Sequence, residues 1–138
     1  MSVVDASIVV RLLQNRRTDD ALRRRFAELR TVHAPTLIDA EVAAAIRGLL
    51  LASHAHTRIT QARAAEMVTD YADLPLRRYP VLPLQVRLLE LRHTFTAYDA
   101  CYGALAEALE RPLLTDDQKF RRAPVVGLTI DPWMDATT

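Results

Sequence analysis

The chain has 138 residues, half of them hydrophobic and a quarter charged, with a formal net charge of +1. That length supports one packed core and is short for two, and the composition excludes a disordered chain. No run approaches the roughly 20 apolar residues that a membrane-spanning helix needs, and a single cysteine, Cys101, excludes an internal disulfide and a thiolate metal site. A soluble, cytoplasmic protein of one domain, residues 1–138, is the expectation.

In chain order, Ser2–Val4 reads as a short buried strand that stops at Asp5, with Ser7 offering a cap for a helix over 7–14. Thr18, Asp19 and Asp20 start a second helix, with Leu22, Phe26 and Leu29 as its apolar stripe. A strand over 31–34 follows, closed by Pro35, and Thr36 is placed to cap a long Ala- and Leu-rich helix over 36–53. A further helix is expected over 60–73, a brief strand over 77–82 among three prolines, and an amphipathic helix over 84–91. Residues 96–110 read as a central helix, 112–115 as an apolar strand, 116–122 as a helical piece and 125–130 as a last strand.

Strands alternate with helices throughout. That order specifies an α/β fold, a three-layer α/β/α sandwich around a mainly parallel sheet with right-handed crossovers. In such sheets ligands bind beyond the carboxyl ends of the strands. Only three glycines, Gly48, Gly103 and Gly127, are present and they are far apart, so no phosphate-cradling loop exists.

Four acidic stations recur where strands hand over to helices or where helices are apolar: Asp5, Glu41, Asp99 and Asp117. Asp5 ends the first strand and suits either a helix cap or a crevice ligand. Glu41 borders the stripe of Ile38, Val42, Ala45, Ile46 and Leu49, where a carboxylate needs an arginine such as Arg47 or a metal. Asp39 has the spacing of half a capping box with Thr36, and Asp99 the same with Thr96. Asp116 and Asp117 follow a strand and Thr115, where helix-terminal charge suffices for either. Taken together, acids at equivalent places of successive units point to one all-oxygen site. Such a site suits Mg²⁺ or Mn²⁺. His33, His54, His56 and His93 are scattered and form no zinc motif, and Cys101 reads as core. Of 18 basic residues 17 are Arg, and the clusters at 16–17, 23–25, 77–78 and 121–122 suit either a solvated face or a phosphate-binding rim.

The segments VVDAS, PTLIDAE, AYDACYGALAEAL and LLTDDQKF, in this order and at these separations, resemble a PIN-domain ribonuclease of the kind that forms the VapC toxin half of VapBC toxin–antitoxin pairs. The resemblance covers nearly the whole chain. It implies an acidic tetrad of Asp5, Glu41, Asp99 and Asp117 with Ser7 and Thr115 as supporting hydroxyls. Asp116 departs from the family pattern, in which the residue between Thr and Asp is often not acidic, and leaves the fourth acid open; the following Lys-Phe favours Asp117. The implied chemistry is Mg²⁺-dependent (or Mn²⁺-dependent) hydrolysis of phosphodiester bonds in RNA, often structured tRNA or rRNA, leaving a 5′-phosphate and a 3′-hydroxyl. It also implies a homodimer and a small cognate VapB-type antitoxin whose C-terminal segment wraps the toxin. The apolar stripes of the first two helices, and of 60–73 with Ala62, Ala65 and Met67, suit either that groove or the core.

Two rival classes carry different signatures. A non-catalytic PIN-like module for RNA or protein binding would have no need of all four acids. A phosphoacceptor receiver domain would want paired acids after its first strand and a lysine closing a late strand, whereas Asp5 has no acidic neighbour and Lys119 falls in a helix.

Overall fold

The computed structural model describes residues 1–122 and 129–132, without the side chains of 121, 122 and 132. Five strands, β1 (Ser2–Val4), β2 (Val32–Pro35), β3 (Leu76–Tyr79), β4 (Leu113–Thr115) and β5 (Ile130–Pro132), form one sheet in the order β3-β2-β1-β4-β5. Every pairing is parallel, so the sheet is more uniform than the mainly parallel one expected. The helices are α1 (Ala6–Gln14), α2 (Asp20–Glu28), α3 (Ile38–Leu50), α4 (Gln61–Ala72), α5 (Gln85–Glu90), α6 (Ala97–Leu109) and α7 (Gln118–Arg122).

Strand order places the site. The chain steps from β1 to β2 to β3 in one direction, then crosses back over both to β4 and on to β5. Right-handed crossovers put helices of the outward and return journeys on opposite faces. The packing agrees: α1, α3 and α4 contact one another, while α6 lies on β1, β2 and β4 and against α5. The direction reverses between β1 and β4, so the chain leaves these neighbours toward different faces and a crevice opens beyond their carboxyl ends.

Both buried faces explain the composition. Val3, Val4, Val32, Ala34, Leu113 and Leu114 are inaccessible or nearly so, and Ile8, Val9, Leu22, Ile38 and Met67 pack over them with Phe120, Leu105 and Ala106. Near-continuous apolar strands are what a parallel sheet covered on both sides demands. The apolar stripes of α1 and α2 are therefore core, as is Met67 of α4. On α4 the apolar residues Ala62, Ala65, Val68 and Ala72 remain exposed among polar side chains.

Several boundaries differ from expectation for local reasons. Asp5, not Ser7, caps α1: its side chain accepts from the Ile8 N–H at 3.1 Å. A 3₁₀ turn, Arg17–Asp19, precedes α2. Pro35 is the last residue of β2 rather than its terminator, and α3 starts two residues beyond Thr36 with no side-chain cap. Asp39 consequently closes no capping box and instead accepts from Tyr71 Oη and Arg78 Nε. The strand expected over 77–82 ends at Tyr79, Leu82 falls in a 3₁₀ turn, and α7 begins at Gln118 rather than at residue 116. The last strand starts at Ile130; residues 125–128 of the expected strand lie outside the described residues. Thr60 and Thr96 cap α4 and α6 as expected, the latter by accepting from the Asp99 N–H at 3.2 Å.

Candidate active site

A cleft of about 140 Å³ is lined by Asp5, Ala6, Ser7, Glu41, Asp99, Tyr102, Asp117 and Phe120. All four acidic stations of the sequence therefore border one cavity. They reach it from the end of β1, the first turn of α3, the first turn of α6 and the link from β4 to α7. Among the described residues three larger cavities are lined without any acid.

Asp5 is the buried member, 5% exposed. The register that pairs Val4 with Leu114 brings Asp5 and Thr115 side by side at the sheet edge, and Thr115 Oγ1 donates to Asp5 Oδ2. Asp5 Oδ1 lies 2.7 Å from Ser7 Oγ and accepts from the Ile8 N–H. Burial pushes the carboxyl up to about 6, more than these hydrogen bonds lower it, and the nearby Asp116 charge adds to the rise.

Ser7 Oγ also lies 2.6 Å from Asp116 Oδ1. A hydroxyl has one proton, so it donates to one carboxylate and, when the second contact is also a hydrogen bond, receives from a protonated carboxyl. The raised affinity of Asp5 for a proton fits that arrangement. Asp116 is further held by Arg11 Nη1 at 3.0 Å, while Arg11 Nη2 takes the buried Asp19 at 2.7 Å.

Glu41 is held by Tyr102 rather than by the alternative partner Arg47: Tyr102 Oη donates to Glu41 Oε1. Burial, and then this hydrogen bond, raise the phenol's pKa, which keeps it a proton donor. Asp99 faces Lys119 Nζ at 3.8 Å. Asp117 receives support from below, its N–H donating to Thr115 Oγ1 at 2.9 Å, and its Oδ1 accepts from the Lys119 N–H at 2.9 Å. Thr115 thus fastens both Asp5 and the Asp117 backbone.

The donor set consists of hard oxygens, the chemistry of a Mg²⁺ or Mn²⁺ site. Among the described residues, however, no three acids, histidines or cysteines are already drawn together as a metal-binding group. Each acid is instead occupied by a proton donor of the protein, the arrangement that mutual repulsion of carboxylates favours. Asp116 does not line the cleft, which separates it from Asp117.

Three contributors escaped the sequence reading. Tyr102 stands three residues after Asp99, one helical turn on and hence on the same side of α6, a spacing that could have exposed it. Phe120, buried against Phe95, lines the cleft as well. Arg11 gave no signal, because its partners Asp19 and Asp116 are distant in sequence. Within the arginine clusters, Arg23 pairs with Asp20, Arg25 with Asp131 at 2.6 Å, and Arg78 with Asp39 at 2.8 Å. His54 and His56 are exposed, and their rings lie 5.5 Å apart.

A parallel sheet with an acid-lined cleft at the reversal of its strand order defines an α/β domain of the PIN architecture. The family model described as PIN domain matches residues 2–126. Ribonuclease VapC1 of Mycobacterium tuberculosis is 41% identical over 126 residues, covering 88% of this chain and 90% of the relative. Ribonuclease VapC12 of the same organism is 37% identical over 123 residues, covering 89% and 92%. The solved structure of VapBC2 from Rickettsia felis, bound to a DNA fragment from its promoter, superposes with a TM-score of 0.65 at 14% identity, covering 96% of this chain and 98% of that one; at that identity the likeness concerns the fold. The chain belongs to the PIN-domain family, and these relatives within it are VapC ribonucleases.

Proposed function

We propose that the chain acts as a single-domain, divalent-metal-dependent endoribonuclease in the cytoplasm, with Asp5, Glu41, Asp99 and Asp117 as its acidic tetrad. The observation that carries this reading is the meeting of four carboxylates around one cleft at the strand-order reversal, one of them buried. A buried carboxyl raised to about 6 is ionised at neutral pH at a cost that a bound cation would offset.

Asp5, Asp99 and Asp117 would hold Mg²⁺, or Mn²⁺, with Glu41 completing the set. When bound, such an ion would supply Lewis acidity toward the phosphodiester and would ease deprotonation of a water. The protein's own share is orientation. Thr115 and Ser7 fix the two oxygens of Asp5, and Thr115 also fixes the backbone ahead of Asp117. Tyr102 holds Oε1 of Glu41, which itself lines the cleft. Lys119, 70% exposed beside Asp99, is placed to meet a substrate phosphate at the rim. No protein nucleophile is needed.

The relatives named above are ribonucleases, and the substrate proposed here is single-stranded or looped RNA, with structured tRNA or rRNA as the target class. A cognate VapB-type antitoxin restrains the activity. Two copies form a homodimer, with the exposed apolar side chains Leu82, Val86, Leu89 and Tyr98 as the proposed contact. Among the described residues no helix is long and apolar enough to cross a membrane.

The decisive experiment measures RNA cleavage by purified toxin with Mg²⁺ and with EDTA, using Asp99→Asn as the matched control. Cleavage that needs Mg²⁺ and vanishes in Asp99→Asn supports the proposal. Equal cleavage in EDTA rejects it.

A further inference from the structure

The strand starts enclose a second site, remote from the acids. A cavity of about 300 Å³ is lined by Met1, Thr31, His33, Arg77, Tyr79, Leu109 and Arg111. Met1, Thr31 and Arg111 immediately precede or lie just ahead of β1, β2 and β4, so this cavity sits at the amino edge of the sheet. Asp5 and Thr115 are at the carboxyl edge, and the three- and four-residue strands between them span roughly 10 Å.

Its chemistry is the inverse of the acid cleft. No carboxylate lines it. Neither Arg77 nor Arg111 is paired with an acid among the described residues, and Arg77 instead lies over the Tyr79 ring at 5.4 Å. Alternation along β3 explains the arrangement: Arg78 turns to Asp39 and Tyr71 on the α3 and α4 side, while Arg77 and Tyr79 share the other face with His33, the register partner of Arg77. His33 is 5% exposed; its Nδ1 meets Tyr79 Oη at 2.8 Å and its Nε2 is buried with no protein partner. Burial first, and then Arg77 and other nearby positive charges including Arg111, lower the His33 pKa, so the ring is neutral and offers hydrogen bonding rather than charge. When Tyr79 donates to Nδ1, the ring proton resides on Nε2 and calls for an acceptor.

We propose that this cavity binds a phosphate group, free or carried on a nucleotide, between the guanidinium groups of Arg77 and Arg111 with His33 as a neutral partner. Guanidinium forks match phosphate oxygens in geometry and charge. The Tyr79 ring and Leu109 give an attached nucleoside an apolar wall, and the volume exceeds what a lone phosphate fills. The site does not depend on the acid cleft, and cleavage of RNA is not required for it.

The test uses the full chain in EDTA, with calorimetric titration and thermal shift against inorganic phosphate, pyrophosphate, ADP, adenosine and a short oligoribonucleotide. Saturable binding of pyrophosphate or ADP, weakened about tenfold by Arg77→Gln and again by Arg111→Gln, with little binding of adenosine and no change in Asp5→Asn, is the expected result. Tighter binding of ADP than of the oligoribonucleotide assigns the site to free nucleotides, and the reverse assigns it to RNA backbone; both uphold a phosphate site. Binding that is absent, that ignores both arginine substitutions while the variants stay folded by circular dichroism, or that disappears in Asp5→Asn overturns it.

Discussion

Thr115 and Asp5 face each other at the ends of adjacent parallel strands, and the threonine hydroxyl donates to a carboxyl that is almost wholly buried. This pairing joins the two strands at the point where the strand order reverses. It holds in place a group whose charge the fold disfavours.

Asp5 should therefore cost the apo protein stability at neutral pH. Its carboxyl sits at about 6 in the fold against 3.8 in an unfolded chain, so below about pH 3 it is largely neutral in both states. As pH rises from 4 through 6, the folded state lags in losing the proton and stability falls by on the order of 3 kcal/mol from this group. Asp5→Asn removes that dependence. In EDTA, the variant is expected to equal wild type in stability near about pH 3 and to exceed it above about pH 6.5, while losing cleavage in Mg²⁺. Urea unfolding across this pH range measures the difference; curves that stay parallel would refute the assignment of the cost to Asp5.

Tyr102→Phe deletes the hydrogen bond to Glu41 while keeping the ring. Partners of metal-holding side chains typically matter by about 10- to 100-fold. The Mg²⁺ concentration for half-maximal cleavage is expected to rise by about tenfold, with the maximal rate at saturating Mg²⁺ much less affected. Titrating Mg²⁺ against initial cleavage rate checks this, and an unchanged midpoint would show that Tyr102 only packs.

Much of this arrangement was legible in the sequence, for a definable reason. Runs such as Ser2–Val4 and Leu113–Thr115 are too short and apolar to be anything but buried strands, and the acids that end them inherit a common edge from the alternation of strands and helices. What the sequence hid was tertiary. Asp19 looks like a helix-start charge and is in fact buried against Arg11; Asp39 looks like a capping partner and is bound to Tyr71 and Arg78. Short polar side chains satisfy local and distant partners equally well, so spacing alone cannot rank them. The same degeneracy left the stripes of α1 and α2 open between groove and core, because an amphipathic helix does not declare what covers it; their burial makes them core.

The pair Asp116 and Asp117 shows how geometry separates what adjacency confuses. Asp117 borders the cleft, and Asp116 is turned to Ser7 and Arg11. Asp117→Asn is expected to lower cleavage by at least about 100-fold, and Asp116→Asn by less than about tenfold, the order of a lost supporting hydrogen bond. Single-turnover cleavage of one RNA by both variants decides the matter. The opposite ranking would move the fourth acid to Asp116.

The proposed dimer makes its own demand. Leu82 and Val86 are 73% exposed, Leu89 68% and Tyr98 65%, and they lie on the 3₁₀ turn before α5, on α5 itself and in the first turn of α6, beside Asp99. Exposed apolar side chains on these neighbouring elements would be covered if two copies met there across a two-fold axis. Because these side chains make little of the fold's core, replacing one with a charge should break the association without unfolding the chain. Val86→Glu and Leu89→Glu are expected to convert a dimer to a monomer in light scattering while thermal stability of the chain itself shifts by less than about 1 kcal/mol. Persistence of the dimer in both variants would place the two-fold contact on another face, and the neighbouring Tyr98 would then be free to meet substrate at the mouth of the acid cleft.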